Sequence, residues 1–241
     1  MSMPLYGLKV FKKYIQPNIH KGSNICFLSY PDIIVSSQMI GRLFNIDYKK
    51  LKLREDSNDI IKWHKAFDIV RRIVDTRQLF EYLGYKVTIT DIVKARFDEQ
   101  YLDLNKFLPE IYQDKFQFVF ENCMDHCFNI GQAFINVSKM VSIGGYILHL
   151  NPLLMINHGF WSMSPTVYYD FYEANGFKVV FYSAFQGIHK INRYYKFNNP
   201  YIRLNNIGHD SMQLVIVKKI EQKPVIWPTQ RKFQKFPNSK R

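Results

Sequence analysis

Three cysteines in 241 residues, Cys26, Cys123 and Cys127, are too few and odd in number for a disulfide framework. Cys123, His126 and Cys127 lie close together. Their spacing fits no familiar zinc pattern and no second cluster adds ligands, so no metal is expected and buried thiols are the favoured reading. No apolar run reaches the roughly 20 residues of a membrane-spanning helix. The most apolar stretch, Tyr146 to Ile156, is interrupted by His149, Asn151 and Pro152. The opening MSMPLYGLKVFKKYIQP lacks the unbroken apolar stretch and small-residue cleavage site of a signal peptide. A soluble, cytoplasmic protein is the expectation. Internal repeats, a Walker-type phosphate loop, a nucleophile elbow and a kinase signature are all missing.

What is present is apolar and basic. Apolar residues make up 47% and aromatics 16%, enough for a packed core and too much for a disordered chain. The net charge of +13 is uneven: from Lys218 to Arg241 there are eight Lys and Arg against one acid, Glu221. That segment also carries Trp227, Phe233 and Phe236 between Pro224, Pro228 and Pro237, a spacing that discourages a regular helix. It reads as a solvated terminus whose aromatics pack back on the domain. Contact with nucleic acid through its charge is a second, less favoured reading, because no nucleic-acid-binding motif accompanies it.

Strands and helices alternate along the chain. Asn24 to Leu28 reads as a short buried strand, and a short helix is expected around Gln38 to Phe44. Ile60, Trp63, Phe67, Val70 and Val74 recur at three- and four-residue spacing, predicting a long helix from Ser57 onward. A turn of helix over Gln78 to Leu83, with Thr76 as its cap, stops at Gly84. Lys86 to Thr90 is a strand with Asp91 at its end, and Asp103 closes a shorter extended piece. Phe116 to Phe120 is a strand, Ile130 to Val141 a one-sided apolar helix, and Gly144–Gly145 leads into a strand over Tyr146 to Leu150. Ser164–Pro165 opens a helix that Asn175–Gly176 closes. Phe177 to Ala184 and Met212 to Val217 are the last strands, expected to pair antiparallel because no helix separates them. The pattern predicts an α/β protein with a mostly parallel sheet covered by helices on both faces.

Two stretches carry a family resemblance. FQFVFENCMDHCFNIGQAFINVSKMVSIGGYILHL is similar to the fourth strand, the acid–His loop, the following helix, the Gly-Gly turn and the fifth strand of class I S-adenosylmethionine-dependent methyltransferases, and NHGFWSMSPTVYYDFYEANGF resembles the His-Gly-Phe, Ser-Pro and Asn-Gly-Phe signature of one branch. That branch is bacterial, its methyltransferase-like proteins often without an assigned substrate. QLFEYLGYKVTITD followed by YLDLN resembles that family's second strand and the approach to its third. The resemblance covers residues 76 to 185 well and 24 to 75 weakly. It implies a Rossmann-like, doubly wound sheet over residues 24–221, an N-terminal extension over 1–23 and a basic tail over 222–241.

The same resemblance implies S-adenosylmethionine as cofactor. Ligands of such sheets sit beyond the carboxyl ends of the strands, near the switch point. Asp91 then stands where a carboxylate takes two ribose hydroxyls, and Asp103 where it accepts the adenine amine. Glu121 and Asn122 follow the fourth strand, where cofactor and substrate meet. The family's first loop is glycine-rich; here it is ICFLSYPDIIVSS, without glycine, and Tyr30 with Pro31 occupies the bend, which makes Tyr30 the candidate cofactor contact there.

Methyl transfer asks of the protein mainly alignment and, for a hydroxyl acceptor, a base. His126, after the fourth strand, and His158, after the fifth, are the candidates. Each can equally serve only to hold its own loop. The resulting expectation is a methyltransferase acting on a small molecule or sugar intermediate. Two alternatives stand beside it: a non-catalytic binding or scaffold protein of the same fold, and a nucleic-acid-directed protein using the basic tail.

Overall fold

In the computed structural model, which describes residues 2–195 and 205–231, side chains alternate along Asn24–Leu28 (β1) as a strand buried on both faces requires. Ile25 and Phe27 enter one apolar cluster, and Cys26 and Leu28 the other. The same division runs through Phe116–Glu121 (β4) and Val141–Leu154 (β5), while Lys86–Asp91 (β2) adds Ile89 to the first cluster alone. With Gln100–Tyr101 (β3), Phe177–Gln186 (β6), Arg193–Tyr195 (β7) and Ser211–Lys219 (β8), they form one sheet. Its order is β3-β2-β1-β4-β5-β8-β6-β7.

β1 through β5 pair in parallel, so their carboxyl ends share one edge. β8 enters between β5 and β6 and runs antiparallel to both. The doubly wound sheet with an antiparallel final strand expected from the sequence is therefore present. β1 lies at the switch point, flanked by β2 on one side and β4 on the other.

Helices cover both faces. Leu5–Val10 (α1), Ser37–Phe44 (α2) and Thr76–Tyr82 (α4) contribute Leu8, Ile40, Leu79 and Phe80 to the first cluster. Phe27, Phe80, Phe118 and Phe120 are fully buried there, each stabilising by about 1.5–3 kcal/mol relative to exposure. Ile130–Met140 (α5) and Pro165–Ala174 (α6) cover the other face through Phe134, Val137, Tyr168 and Tyr172. No helix among the described residues is long and apolar enough to cross a membrane.

The long helix expected from Ser57 is a correction. Helix Ser57–Trp63 (α3) ends after seven residues. Lys65 adopts a left-handed φ of 50°, Ala66 N–H donates to Ile61 O, and Lys65 N–H donates to Lys62 O. That is a Schellman stop built without glycine. Trp63 and Phe67 are consequently exposed, while Val74 forms isolated bridges with Ile33 and Leu53. Asp75, not Thr76, caps α4, its Oδ1 accepting the Gln78 N–H at 2.9 Å. Thr76 is buried and donates to Pro31 O.

The two ends of the described chain lie against the domain. Phe11 sits edge-on to Phe80 and packs beside Phe118. Beyond β8, Asn175 holds Ile226 through two hydrogen bonds, and Trp227 rests on Phe171 and Gly131. Arg231 pairs with Asp170 and Glu173. Phe233, Phe236 and the basic residues after Arg231 lie outside the described residues.

Candidate functional site

The carboxyl ends of β1, β2 and β4 part around a crevice of about 230 Å³. Its walls include Leu28, Ser29, Thr90, Asp91, Asp103 and His126. A larger, mostly apolar hollow of about 420 Å³ lies between α5, α6 and the segment around Trp227. None of the seven sequence-derived site residues lines that hollow.

The chain leaves β1 through Ser29, whose φ of 70° is the left-handed conformation that favours glycine. Its N–H donates to Thr90 O at 2.6 Å, tying the bend to β2. The glycine-free loop thus makes the turn that the resemblance calls for, with a small side chain in the strained position. Tyr30 turns away from the crevice. Its ring joins the core of the α4 face, its hydroxyl meets Asp75 Oδ2 at 2.9 Å, and Arg96 stacks over it at 4.2 Å. Burial, with the Asp75 charge behind it, pushes the Tyr30 hydroxyl pKa up.

Asp91 and Asp103 both line the crevice. Asp91 Oδ1 accepts the Val93 N–H at 3.1 Å, and Oδ2 has no hydrogen-bond partner among the described residues. Asp103 Oδ1 accepts from the backbone and side-chain nitrogens of Asn105, at 2.9 and 3.0 Å. Desolvation works against the Asp103 charge, but the Asn105 bonds and Lys106 outweigh it and hold the carboxyl below its ordinary value. Asn105 Oδ1 in turn accepts the Asn129 N–H at the start of α5, so the floor of the crevice is fixed to that helix.

Glu121 and Asn122 do not line the crevice. Glu121 is fully buried behind it and accepts four hydrogen bonds. Oε1 takes the Cys123 and Met124 N–H groups, while Oε2 meets His149 Nδ1 at 2.6 Å and Asn151 Nδ2 at 2.8 Å. Burial alone would raise its pKa; the His149 contact, with Asn151 and Met124, reverses that and lowers it. His149 Nε2 continues to the Tyr172 hydroxyl on α6 at 2.7 Å. Asn122 is buried and donates to Ser2 O.

His126 stands on the crevice wall, 44% exposed. His158 lies beside it, ring centroids 5.1 Å apart. Asp125 sits beneath both: His158 Nδ1 is 2.9 Å, and His126 Nε2 3.6 Å, from its Oδ2. The Asp125 hydrogen bond raises the His158 pKa, against a smaller opposing effect of burial. The NHGFW run locks this arrangement. Phe160 N–H donates to Asp125 O at 2.7 Å, and Trp161 Nε1 to Cys127 O at 3.0 Å. Phe128 and Phe160 meet edge-on at 5.5 Å, both largely exposed, and form an aromatic rim beyond the histidines.

The fold therefore gathers Asp91, Asp103 and His126 around one crevice and brings His158 to its side. Asp125 is the residue sequence reasoning passed over. The fold gives its stronger contact to His158, 33 residues on. The Asp-His and His-Gly-Phe runs carried that signal only jointly. Cys123 and Cys127 also line the crevice, and both pKa values are raised, that of Cys127 to about 12, by burial and then by the Glu121 charge. Neither is a thiolate nucleophile at neutral pH.

No protein-family model and no curated protein matches the chain. Among solved structures it is similar to an S-adenosylmethionine-dependent methyltransferase from Methanosarcina mazei, with 8% identity and a TM-score of 0.40, covering 86% of this chain and 97% of that one. It is similar to another from Aquifex aeolicus, with 10% identity and a TM-score of 0.40, covering 89% and 94%. TehB from Haemophilus influenzae gives 12% identity and a TM-score of 0.42, covering 87% and 65%. These likenesses add nothing to what strand order and register already show about the fold.

Proposed function

We propose that the protein is an S-adenosylmethionine-dependent methyltransferase acting on a small molecule or sugar intermediate. One observation carries this reading: Asp91 and Asp103 converge on a crevice at the switch point, with His126 on its wall. The residues present suit a nucleoside. Asp91 keeps a carboxylate oxygen without a partner, as a ribose diol would require. The Ser29 bend supplies the left-handed corner usually given to glycine. At about 230 Å³ the crevice falls below the roughly 300 Å³ at which small-molecule pockets begin, so it suits part of such a cofactor.

When bound, the cofactor supplies an activated methyl group. The chain's part is to hold and orient. Asp91 binds the ribose hydroxyls, Asp103 receives the adenine amine, and the Phe128–Phe160 rim offers an apolar surface on the acceptor side. His126 and His158 are the groups available to bind an acceptor hydroxyl and take its proton. Glu121 holds the β4 end in place through Cys123 and Met124, and so positions this wall.

Calorimetry with S-adenosylmethionine tests the reading. Micromolar binding, weakened about tenfold or more by Asp91→Ala, is the expected result, the loss of a charge-assisted hydrogen bond. A second reading, a non-catalytic binding or scaffold protein of this fold, is favoured by the small size of the crevice. It predicts no binding at millimolar ligand.

A further inference from the structure

The side-chain cluster beside the crevice does more than hold a loop. Asp125 is fully buried, yet only Oδ2 is engaged, and Oδ1 has no hydrogen-bond partner. A buried carboxylate oxygen left bare is costly. The His158 contact uses Oδ2 alone; only an ion chelated by both carboxylate oxygens would also engage Oδ1. The His158 contact also leaves His126, 3.6 Å from Oδ2, without a good hydrogen bond.

We infer that Asp125, His126 and His158 form a binding site for one divalent first-row transition metal ion. A carboxylate oxygen and two imidazole nitrogens, one from each side chain, lie within 4.8 Å of one another. Metal–ligand bonds of about 2.0–2.2 Å at tetrahedral angles set ligand atoms roughly 3.3–3.6 Å apart. The observed 2.9 and 3.6 Å fall within a few tenths of an ångström of that range, and the two imidazole nitrogens lie within 4.8 Å of each other.

The donor set selects the ion. Two imidazoles with one carboxylate suit zinc, iron, cobalt or nickel, and lack the oxygen-rich shell that magnesium and calcium require. Three protein ligands leave positions open. The imidazoles are 44% and 37% exposed, so the open side faces solvent and the crevice mouth, while Asp125 supplies the buried anchor. An acceptor hydroxyl bound to such an ion would lose its proton more readily to solvent, and the two imidazoles would then act as ligands in place of the base. That last step rests on the transferase reading; the metal site itself does not.

The test uses the full chain without S-adenosylmethionine. Cobalt(II) is titrated in while visible d–d absorption and calorimetric heat are followed. One equivalent is expected to bind at micromolar concentration, displaceable by zinc. Binding should weaken more than tenfold in His126→Gln and in His158→Gln, each with an unchanged circular dichroism spectrum. His209→Gln, at an exposed histidine elsewhere, should bind as the parent does. No binding at millimolar cobalt, or binding that survives both substitutions, overturns the inference. If His158→Gln fails to fold, the exposed His126 decides alone. Because nucleoside binding is measured separately through Asp91, either reading can fail without the other.

Discussion

Gly159 lies so close to Asp125 that a Cβ built on it would stand 2.6 Å from both the Asp125 carbonyl oxygen and Oδ2. The glycine is there for space: the loop after β5 rests directly on the residue that holds His158 and stands beside His126.

Gly159→Ala should therefore lift that loop. The expected cost is about 1–3 kcal/mol of stability, as for overpacking elsewhere. Urea denaturation measures it. An unchanged midpoint would mean that the loop shifts freely.

Ser29 permits a paired test of the strained corner. Ser29→Val, which places a β-branched side chain at a φ of 70°, should cost about 1–2 kcal/mol. Ser29→Gly should be neutral or stabilising by up to about 1 kcal/mol. Equal effects of the two substitutions would count against left-handed strain at this bend.

Glu121 separates support from contact. Glu121→Ala leaves His149 and Asn151 without their buried acceptor and should destabilise by about 3–5 kcal/mol. Glu121→Gln should cost less and leave the affinity for S-adenosylmethionine within about twofold, a change below roughly 0.5 kcal/mol. A much larger loss of affinity in a folded Glu121→Gln protein would mean direct contact with the ligand.

His189 predicts a pH dependence. Its ring is partly buried, meets His64 edge-on at 5.4 Å, and has an unpartnered Nδ1. Desolvation, and then the His64 charge, lower its pKa to about 4, with Asp32 opposing. An unfolded histidine titrates near about 6.5, so below that pH the unfolded chain binds the proton more readily. This contribution is full above about pH 6.5 and declines as the pH falls toward about 4. Between pH 7 and 5 the parent should lose roughly 1 kcal/mol more than His189→Leu, allowing for solvent near the ring. Equal losses in denaturant titrations would remove His189 as the cause.

Much of the sheet was legible because its strands are short apolar runs bounded by turn residues. β1 matches its reading residue for residue, and β4 and β8 extend theirs by one to three residues. The long helix failed for a reason periodicity does not register. Lys65, a residue with no turn signature, takes a left-handed conformation, and the stripe continues past the break only by coincidence of spacing. At the site, Asp91 and Asp103 were legible as strand-end acids. Glu121 was read as a ligand contact because position after a strand does not reveal which way a side chain turns. Its partners His149 and Asn151 lie about 30 residues on, in β5. The Asp125–His158 contact was hidden in the same way, since only the packed loops bring it about.

β8 follows both of its neighbours in the chain and is hydrogen-bonded to each along most of its length. During synthesis β5 and β6 must wait, each with an unpaired edge, until residues 211–219 have left the ribosome. The half of the sheet beyond β5 therefore cannot be completed before β8 is available. A nascent chain arrested before that point would hold two open strands with nothing between them, the state in which a chaperone would matter most.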